Sequence, residues 1–490
     1  MAPASGAGIL PVEIWAIIFD ELKSHKLISN IPDKSLKEVS LTCRTFHAAV
    51  LPLIFRAMIF HPYLLNQTRD QPTTIYSATL PSDFLERQSE KLEFYTSGRI
   101  AGCVHSLLVA PLVWKDQEEE VRQDGVLPLT SQDLYKSTQP FFEIVHKFKN
   151  ARNMTATQIE FDAFALKALS KLARLEELHI INCSMDAPGE ISLPLKKFAL
   201  FVNPKAADLR SDNFAVKVVR HWMGILCKDK LEHLELPFSL HGTVFDDIPS
   251  FGPFPLLVTL EIGITTSMFP GLQSILTHCL HLRRLGLFLP LDWGEHEDIL
   301  ALSEQCKSCT VLDLPSLVTY TGPSELLGAI LSEASLRHLQ LTPIMPEAGG
   351  PFVDSVPTLG PAFLSTPTSL DRVARQALLF EALEVGLKLT NEEFLDDVIA
   401  SCTSSSKLRF LAIDWTAAAQ TNVEAKHMRT KEVLVARLPS LHRLWICDWT
   451  RSALIWKRTS SGEETLVEHG TGDSSKNEAA CQFRDSVFIS

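Results

Sequence analysis

The stretch CLHLRRLGL, Cys279–Leu287, carries the pattern that decides the fold. Its form is an apolar residue, two others, Leu, two others, Leu, one other and Leu. The closing Leu-x-Leu has the two-residue period of a strand with one buried face. Related forms recur outward from it: LARLEELHIINC from Leu172, LKKFAL from Leu195, LEHLEL from Leu231 and LLVTLEI from Leu256. Further on come CTVLDL from Cys309, SLRHLQL from Ser335, LKL from Leu387, KLRFLAI from Lys407 and SLHRLWI from Ser440.

Taking the first Leu of each Leu-x-Leu gives Leu234, Leu260, Leu285, Leu312 and Leu339, at intervals of 26, 25, 27 and 27 residues. Leu387 to Leu411 adds an interval of 24. These fall in the range of leucine-rich repeats. The intervening segments read as helices: FPGLQSILTHC sets Leu272, Ile275, Leu276 and Cys279 on one side, EHEDILALSEQC sets Ile299, Leu302 and Cys306, and NEEFLDDVIASC opens on Asn391 as N-cap. Strand then helix, repeated, gives an α/β fold: parallel strands with crossover helices outside, curved into an irregular leucine-rich-repeat solenoid. The repeats are uneven. Phe198 stands where the first Leu is expected, and a Pro-rich loop at 343–370 interrupts the array. The expected organisation is a helical unit at 1–60, a linker with early degenerate repeats at 61–155 (a strand near Leu107 among them), the solenoid at 156–458 and a polar, disordered tail at 459–490.

The N-terminal unit begins with LPVEIWAIIFDEL, Leu10–Leu22. Pro11 suits a first helical turn. At about 100° per residue, Ile14, Ile17, Ile18 and Leu22 form a stripe that Trp15 and Phe19 widen to roughly 200°, about twice what one core needs. Ser35 and Glu38 fit a capping box, Leu36, Val39, Cys43, Phe46 and Val50 follow at helical spacing, and Pro52 ends that helix. So small a unit cannot bury enough apolar area alone and must lean on the rest of the chain or on a partner.

Together LPVEIWAIIFDEL and LKEVSLTCRTFHAAVLPLIF resemble an F-box, most of all that of fungal F-box-like proteins. The match rests on Leu10-Pro11, Glu13-Ile14, Ile17-Ile18, and on Val39, Cys43, Arg44 and Phe46, where the family has an apolar residue, Cys, Arg and an aromatic. The long segment between Leu22 and Leu36, and Phe46 in place of the commoner Trp, depart from the family pattern. The resemblance implies docking on a Skp-type adaptor and, through it, a cullin–RING ubiquitin ligase, with Leu10, Pro11, Ile14, Ile18, Val39, Cys43 and Phe46 as adaptor-binding residues. Each of these residues could equally serve the unit's own packing. Ile14 and Ile18 are assigned to the partner side, and Trp15 and Phe19 to the internal side.

Other classes find little support. The chain has 490 residues, 46% hydrophobic and 21% charged, with a net charge of -12, which argues against general nucleic-acid binding. No apolar run reaches membrane-span length, and the N-terminus lacks the basic region of a signal peptide, so no membrane association is expected. Ten scattered cysteines suit a reducing compartment, cytoplasm or nucleus. No P-loop, dinucleotide fingerprint, nucleophile elbow or paired-His zinc motif occurs. Cys306 and Cys309 have zinc-like spacing without a second pair, so no metal, cofactor or catalytic residue is expected. His179, His233, His338 and His442 sit beside repeat strands. Phe410, Trp415, Trp445 and Trp449 are candidate anchors for an unknown protein target, with closure of the terminal core preferred for at least two of the four. The expected function is a non-catalytic substrate receptor of a Skp–cullin–F-box ubiquitin ligase; the alternative is a repeat scaffold unconnected with ubiquitination.

Overall fold

The computed structural model describes residues 14–15, 34–68, 75–79, 84–114, 131–185, 191–201, 212–236, 254–263, 272, 275–288, 314–322, 337–341, 382–387, 408–415, 423–448, 452–459 and 462–469. The chain is mixed α/β, built on parallel strands, and divides into two compact units, Met1–Leu231 and Glu232–Ser490. The expected boundaries at 60 and 155 do not coincide with this division. A strand follows the N-terminal helices within three residues and joins the parallel ladder at once.

The first unit opens with helices α1 (Lys34–Ser40) and α2 (Arg44–Ile54). Strands β1 (Ala57–Phe60), β2 (Leu64–Thr68) and β3 (Ile75–Thr79) lead to α3 (Phe84–Thr96), β4 (Ser106–Val109), β5 (Leu112–Trp114) and α4 (Ser131–Ile144). Then come β6 (Asn153–Thr157), β7 (Glu160–Phe161), α5 (Ala163–Leu169), β8 (Glu177–Ile181), β9 (Ser184–Met185), β10 (Lys197–Phe201) and α6 (Asp212–Gly224). Strands β1, β4, β6, β8 and β10 pair in that order, all parallel, while β3-β2-β5 and β7-β9 form small side sheets. The register sets Met58, Leu107, Met154, Leu178 and Phe198 in one column, every one at most 1% exposed. Neighbouring positions alternate between buried and half-buried along β1, β4, β6 and β8, as one covered sheet face requires. Behind the column an aromatic series runs from Phe60 through Phe141, Phe142, Phe161 and Trp222 to Phe198, with ring centroids 5.0–6.0 Å apart. Apart from adjacent Phe141 and Phe142 these rings lie far apart in sequence, and no spacing rule reveals the series.

The apolar-x-x-Leu part of the motif is a turn. Ala151 N–H donates to the Phe148 carbonyl, Leu175 to Leu172, Leu257 to Phe254, Leu282 to Cys279, Leu317 to Leu314 and Leu441 to Leu438, at 3.0–3.2 Å. Both apolar members of each turn are buried. The carbonyl just ahead of a strand then accepts two N–H groups from the next repeat: Arg152 from Glu176 and Glu177, Val258 from Arg283 and Arg284. Turn, stitch and strand together satisfy the backbone at each corner, so a short apolar code can be reused.

The second unit carries β11 (His233–Leu236), β12 (Thr259–Gly263), β13 (Arg284–Phe288), β14 (Thr319–Gly322), β15 (His338–Leu341), β16 (Ala382–Leu387), β17 (Phe410–Trp415), α7 (Val423–Arg437), β18 (Arg443–Asp448), β19 (Ser452–Thr459) and β20 (Gly462–His469). Strands β11 to β18 are parallel in chain order, and β18-β19-β20 are antiparallel. Their column is Leu234, Leu260, Leu285, Tyr320, Leu339, Leu383, Leu411 and Leu444. Three expectations are corrected here. Tyr320, not Leu312, continues the column after Leu285, because the Leu314–Leu317 pair is the turn and the strand follows it. Leu383 occupies the column where Leu387 was expected, four residues earlier. The tail does not begin at 459: β20 pairs with β19 over its whole length, Thr459 opposite Gly462, with two residues between. The Pro-rich loop at 343–370 and the helices expected at 293–306 and 391–402 lie outside the described residues. Leu272, Ile275 and Leu276 are helical and buried along with Cys279, as their spacing predicts.

Tyr320 in a Leu position has a local consequence. A Cβ at Gly322 would stand 2.7 Å from the Tyr320 hydroxyl and 3.0 Å from the Leu287 carbonyl. Glycine two residues after the tyrosine leaves the room that the larger ring takes.

Candidate functional site

The N-terminal helices form a small core of their own. Leu36, Ala49 and Val50 are buried, and Trp15, Val39, Phe46, Leu53 and Ile54 pack against them. The sequence spacing runs one helix from Leu36 to Val50, but the chain breaks at Leu41–Cys43. Ser40 Oγ donates to the Lys37 carbonyl at 2.6 Å and Thr42 Oγ1 to that of Val39 at 2.8 Å, closing α1 with side-chain hydroxyls. Cys43 is extended and caps α2: the Phe46 N–H donates to its Sγ at 3.5 Å. Two boundary expectations shift. Helix α1 starts at Lys34, which puts Ser35 inside its first turn, and α2 continues through Pro52 to Ile54. Pro52 forgoes its own N–H bond, yet Phe55 N–H still reaches the Leu51 carbonyl at 3.1 Å.

Of the adaptor-binding candidates, Ile14, Val39, Cys43 and Phe46 fall among the described residues; Leu10, Pro11 and Ile18 do not. Trp15 turns inward, its ring 4.8 Å from Phe46 in an edge-on contact at 63°. Ile14 keeps 40% of its surface exposed, and Leu41 at the helix break keeps 85%. Cys43 is exposed beside them, while Val39 and Phe46 are half-buried between surface and core. Leu41 is absent from the sequence-derived set because it lies off the stripe of Leu36, Val39, Cys43, Phe46 and Val50. An apolar residue off the stripe is the signal that would have found it. The helical unit therefore shows Ile14, Leu41 and Cys43 outward over a core built on Trp15 and Phe46.

The aromatic candidates at the other end behave differently. Phe410 is 3% and Trp445 1% exposed, so these two are not surface anchors, which corrects their place among the target-binding candidates and agrees with the core closure expected for at least two of the four. The reason is that successive positions of β17, β18 and β19, which point to opposite faces, are buried together: Phe410 beside Leu411, Trp445 between Leu444 and Ile446, and Ile455 between Leu454 and Trp456. Trp415 ends β17 opposite Leu387, and Trp449 lies outside the described residues. The histidines stay on or beside strands: half-buried His179 alternates with buried Leu178 and Ile180, His233 and His338 open their strands, and exposed His442, just ahead of β18, donates from Nδ1 to the Ser440 carbonyl at 2.7 Å.

Among the described residues the perturbed groups owe their shifts first to burial. Burial lowers the His61 pKa against the pull of its bond to the Ala110 carbonyl, and nearby Lys91, itself lowered by burial, adds to the shift. Burial raises the Tyr63 hydroxyl, which donates to the Gln158 carbonyl. Burial pushes the Cys183 and Cys279 thiols up to about 12, values of inert core sulfur rather than nucleophiles. Among the described residues no group of three or more His, Cys, Asp or Glu side chains could hold a metal ion, and Cys306 and Cys309 lie outside them. Among the same residues no helix is long and apolar enough to cross a membrane. No protein-family model matches the chain, and no curated protein matches it.

Proposed function

We propose that this chain is the substrate-receptor subunit of a Skp–cullin–F-box ubiquitin ligase. Its N-terminal helices are an F-box that docks on a Skp-type adaptor, and the strands beyond them are a leucine-rich-repeat region that holds a protein target. The observation that carries this reading is the helical pair. With the Ile14–Trp15 segment it spends Trp15 and Phe46 on a core of its own yet leaves Ile14 and Leu41 outside, directly ahead of a ladder whose columns repeat one apolar position. Apolar anchors on a small helical surface are what a helix-docking partner desolvates. The chain then performs no bond chemistry; it raises the effective concentration of a target beside a ubiquitin-charged enzyme.

A second reading has one observation in its favour. Phe55, at the end of α2, meets the rings of Phe94 and Tyr95 on α3 at 5.5 and 5.8 Å, as helices that merely cap a repeat array would. Pull-down with a recombinant Skp-type adaptor separates the two. The F-box reading expects capture by the wild type and loss with Pro11→Ala/Ile14→Asp. Absent capture by the wild type, or capture unchanged in the variant, leaves the capping reading.

A further inference from the structure

We propose that the corner formed by the turns ahead of β6 and β8 is a docking surface for an acidic protein segment. The ladder places the Phe148–Ala151 and Leu172–Leu175 turns in successive repeats, about one strand spacing apart, ~4.8 Å. Lys147, Lys149, Arg152, Lys171 and Arg174 are all exposed on or beside these two turns. Arg174 Nη1 donates to Asn150 Oδ1 at 2.9 Å, and Asn150 Nδ2 donates to the Gly102 carbonyl at 2.7 Å, so three successive turns are tied together. The guanidinium is thereby held in place before any ligand arrives. Among the described residues no carboxylate forms an ion pair with any of the five cations, and Glu176, next along, is engaged by Lys196 at 3.4 Å.

The concentration of charge runs against the composition. A chain of net charge -12 carries five cations on or beside two adjoining turns. Glu176 and Glu177 follow the second turn directly, the first engaged by Lys196, and the five cations outnumber them. At physiological salt a field reaches about 8 Å, so a short acidic segment on this corner feels this local excess of cations more than the chain's net charge. A long polyanion such as a nucleic-acid duplex extends beyond that range and meets the net negative surface as well. The buried members of both turns face the core, and between the cations lie exposed Ala173 and half-exposed Asn150. Attraction here is electrostatic and salt-sensitive. It requires no adaptor and stands apart from the F-box reading.

The test is fluorescence anisotropy of a labelled decaglutamate peptide with the full-length chain. Binding is expected to weaken about tenfold between about 50 and 300 mM salt. Lys149→Glu/Arg152→Glu/Arg174→Glu is expected to weaken it at least about tenfold, while Arg429→Glu/Lys431→Glu on α7 leaves it unchanged. Because Arg174 also holds Asn150, the variant Lys149→Gln/Arg152→Gln, which breaks no side-chain hydrogen bond, is expected to weaken it about threefold. The proposal is overturned if the wild type does not bind the peptide, or if either corner variant binds like the wild type. It is overturned too if a labelled DNA duplex or anionic vesicles of phosphatidylserine bind this corner more tightly than the peptide.

Discussion

The two ends of this chain both carry more large apolar side chains than their position suggests, and the structure uses the surplus in opposite ways. At the C-terminal end Phe410, Trp445 and Trp456 are all inside, on both faces of the last strands. At the N-terminal end the small helical core takes Trp15 and Phe46 but leaves Ile14 and Leu41 on the surface. The lesson concerns enclosure. A sheet strand has neighbours on both sides and can be covered on both faces, whereas two short helices have too little mass to enclose their own apolar arc. An apolar surplus marks a partner surface only where the local fold cannot absorb it.

Substitutions should separate the two ends by size of effect. Trp445→Ala, emptying a fully enclosed site, is expected to cost about 3–5 kcal/mol in denaturant unfolding; a loss under about 1 kcal/mol would contradict enclosure. Gly322→Ala is expected to cost about 1–3 kcal/mol by the same measurement, because its Cβ has no room beside Tyr320 and the Leu287 carbonyl. Phe46→Ala, half-buried, is expected to lose about 1–2 kcal/mol and to change Trp15 fluorescence, since the ring it abuts is gone. Ile14→Asp and Leu41→Asp are expected to stay within about 0.5 kcal/mol of the wild type; a large loss would mean that these residues serve the fold instead of a partner. Smallest of all in its effect on the fold is thiol labelling. At pH 8 iodoacetamide is expected to modify exposed Cys43 well before Cys183 or Cys279, whose thiols stay protonated in the core, and equal rates would break the contrast.

Much of the strand ladder was legible because the Leu-x-Leu code names a buried column directly, as at Leu178, Leu234, Leu260, Leu285 and Leu411. It failed where another residue type filled the column. Tyr320 with Gly322 hides a strand, and the Leu312–Leu314 spacing beside it mimics one. ALEVGLKL holds two possible frames four residues apart, and spacing alone cannot choose between Leu383 and Leu387. β20 was missed because an edge strand exposed along Glu463–Thr465 has the composition of a tail. The site was legible in part. Helical angles put Ile14 and Trp15 on one wide arc without dividing it; the assignment of Trp15 inward and Ile14 outward agrees with their packing, whereas Leu41 depends on a helix break set by Ser40 and Thr42. The burial of Phe410 and Trp445 depends on a second covered face, which no local pattern encodes.

The central claim is that the outward side chains of the N-terminal helices exist for an adaptor. Isothermal titration of the full-length chain with a recombinant Skp-type adaptor tests it most directly, run beside an Ile14→Asp/Leu41→Asp variant whose melting matches the wild type. The account predicts saturable one-to-one binding by the wild type and at least about a tenfold loss in the variant, the scale of one or two buried anchors. No heat of binding from the wild type, or equal affinity in the two proteins, would contradict it.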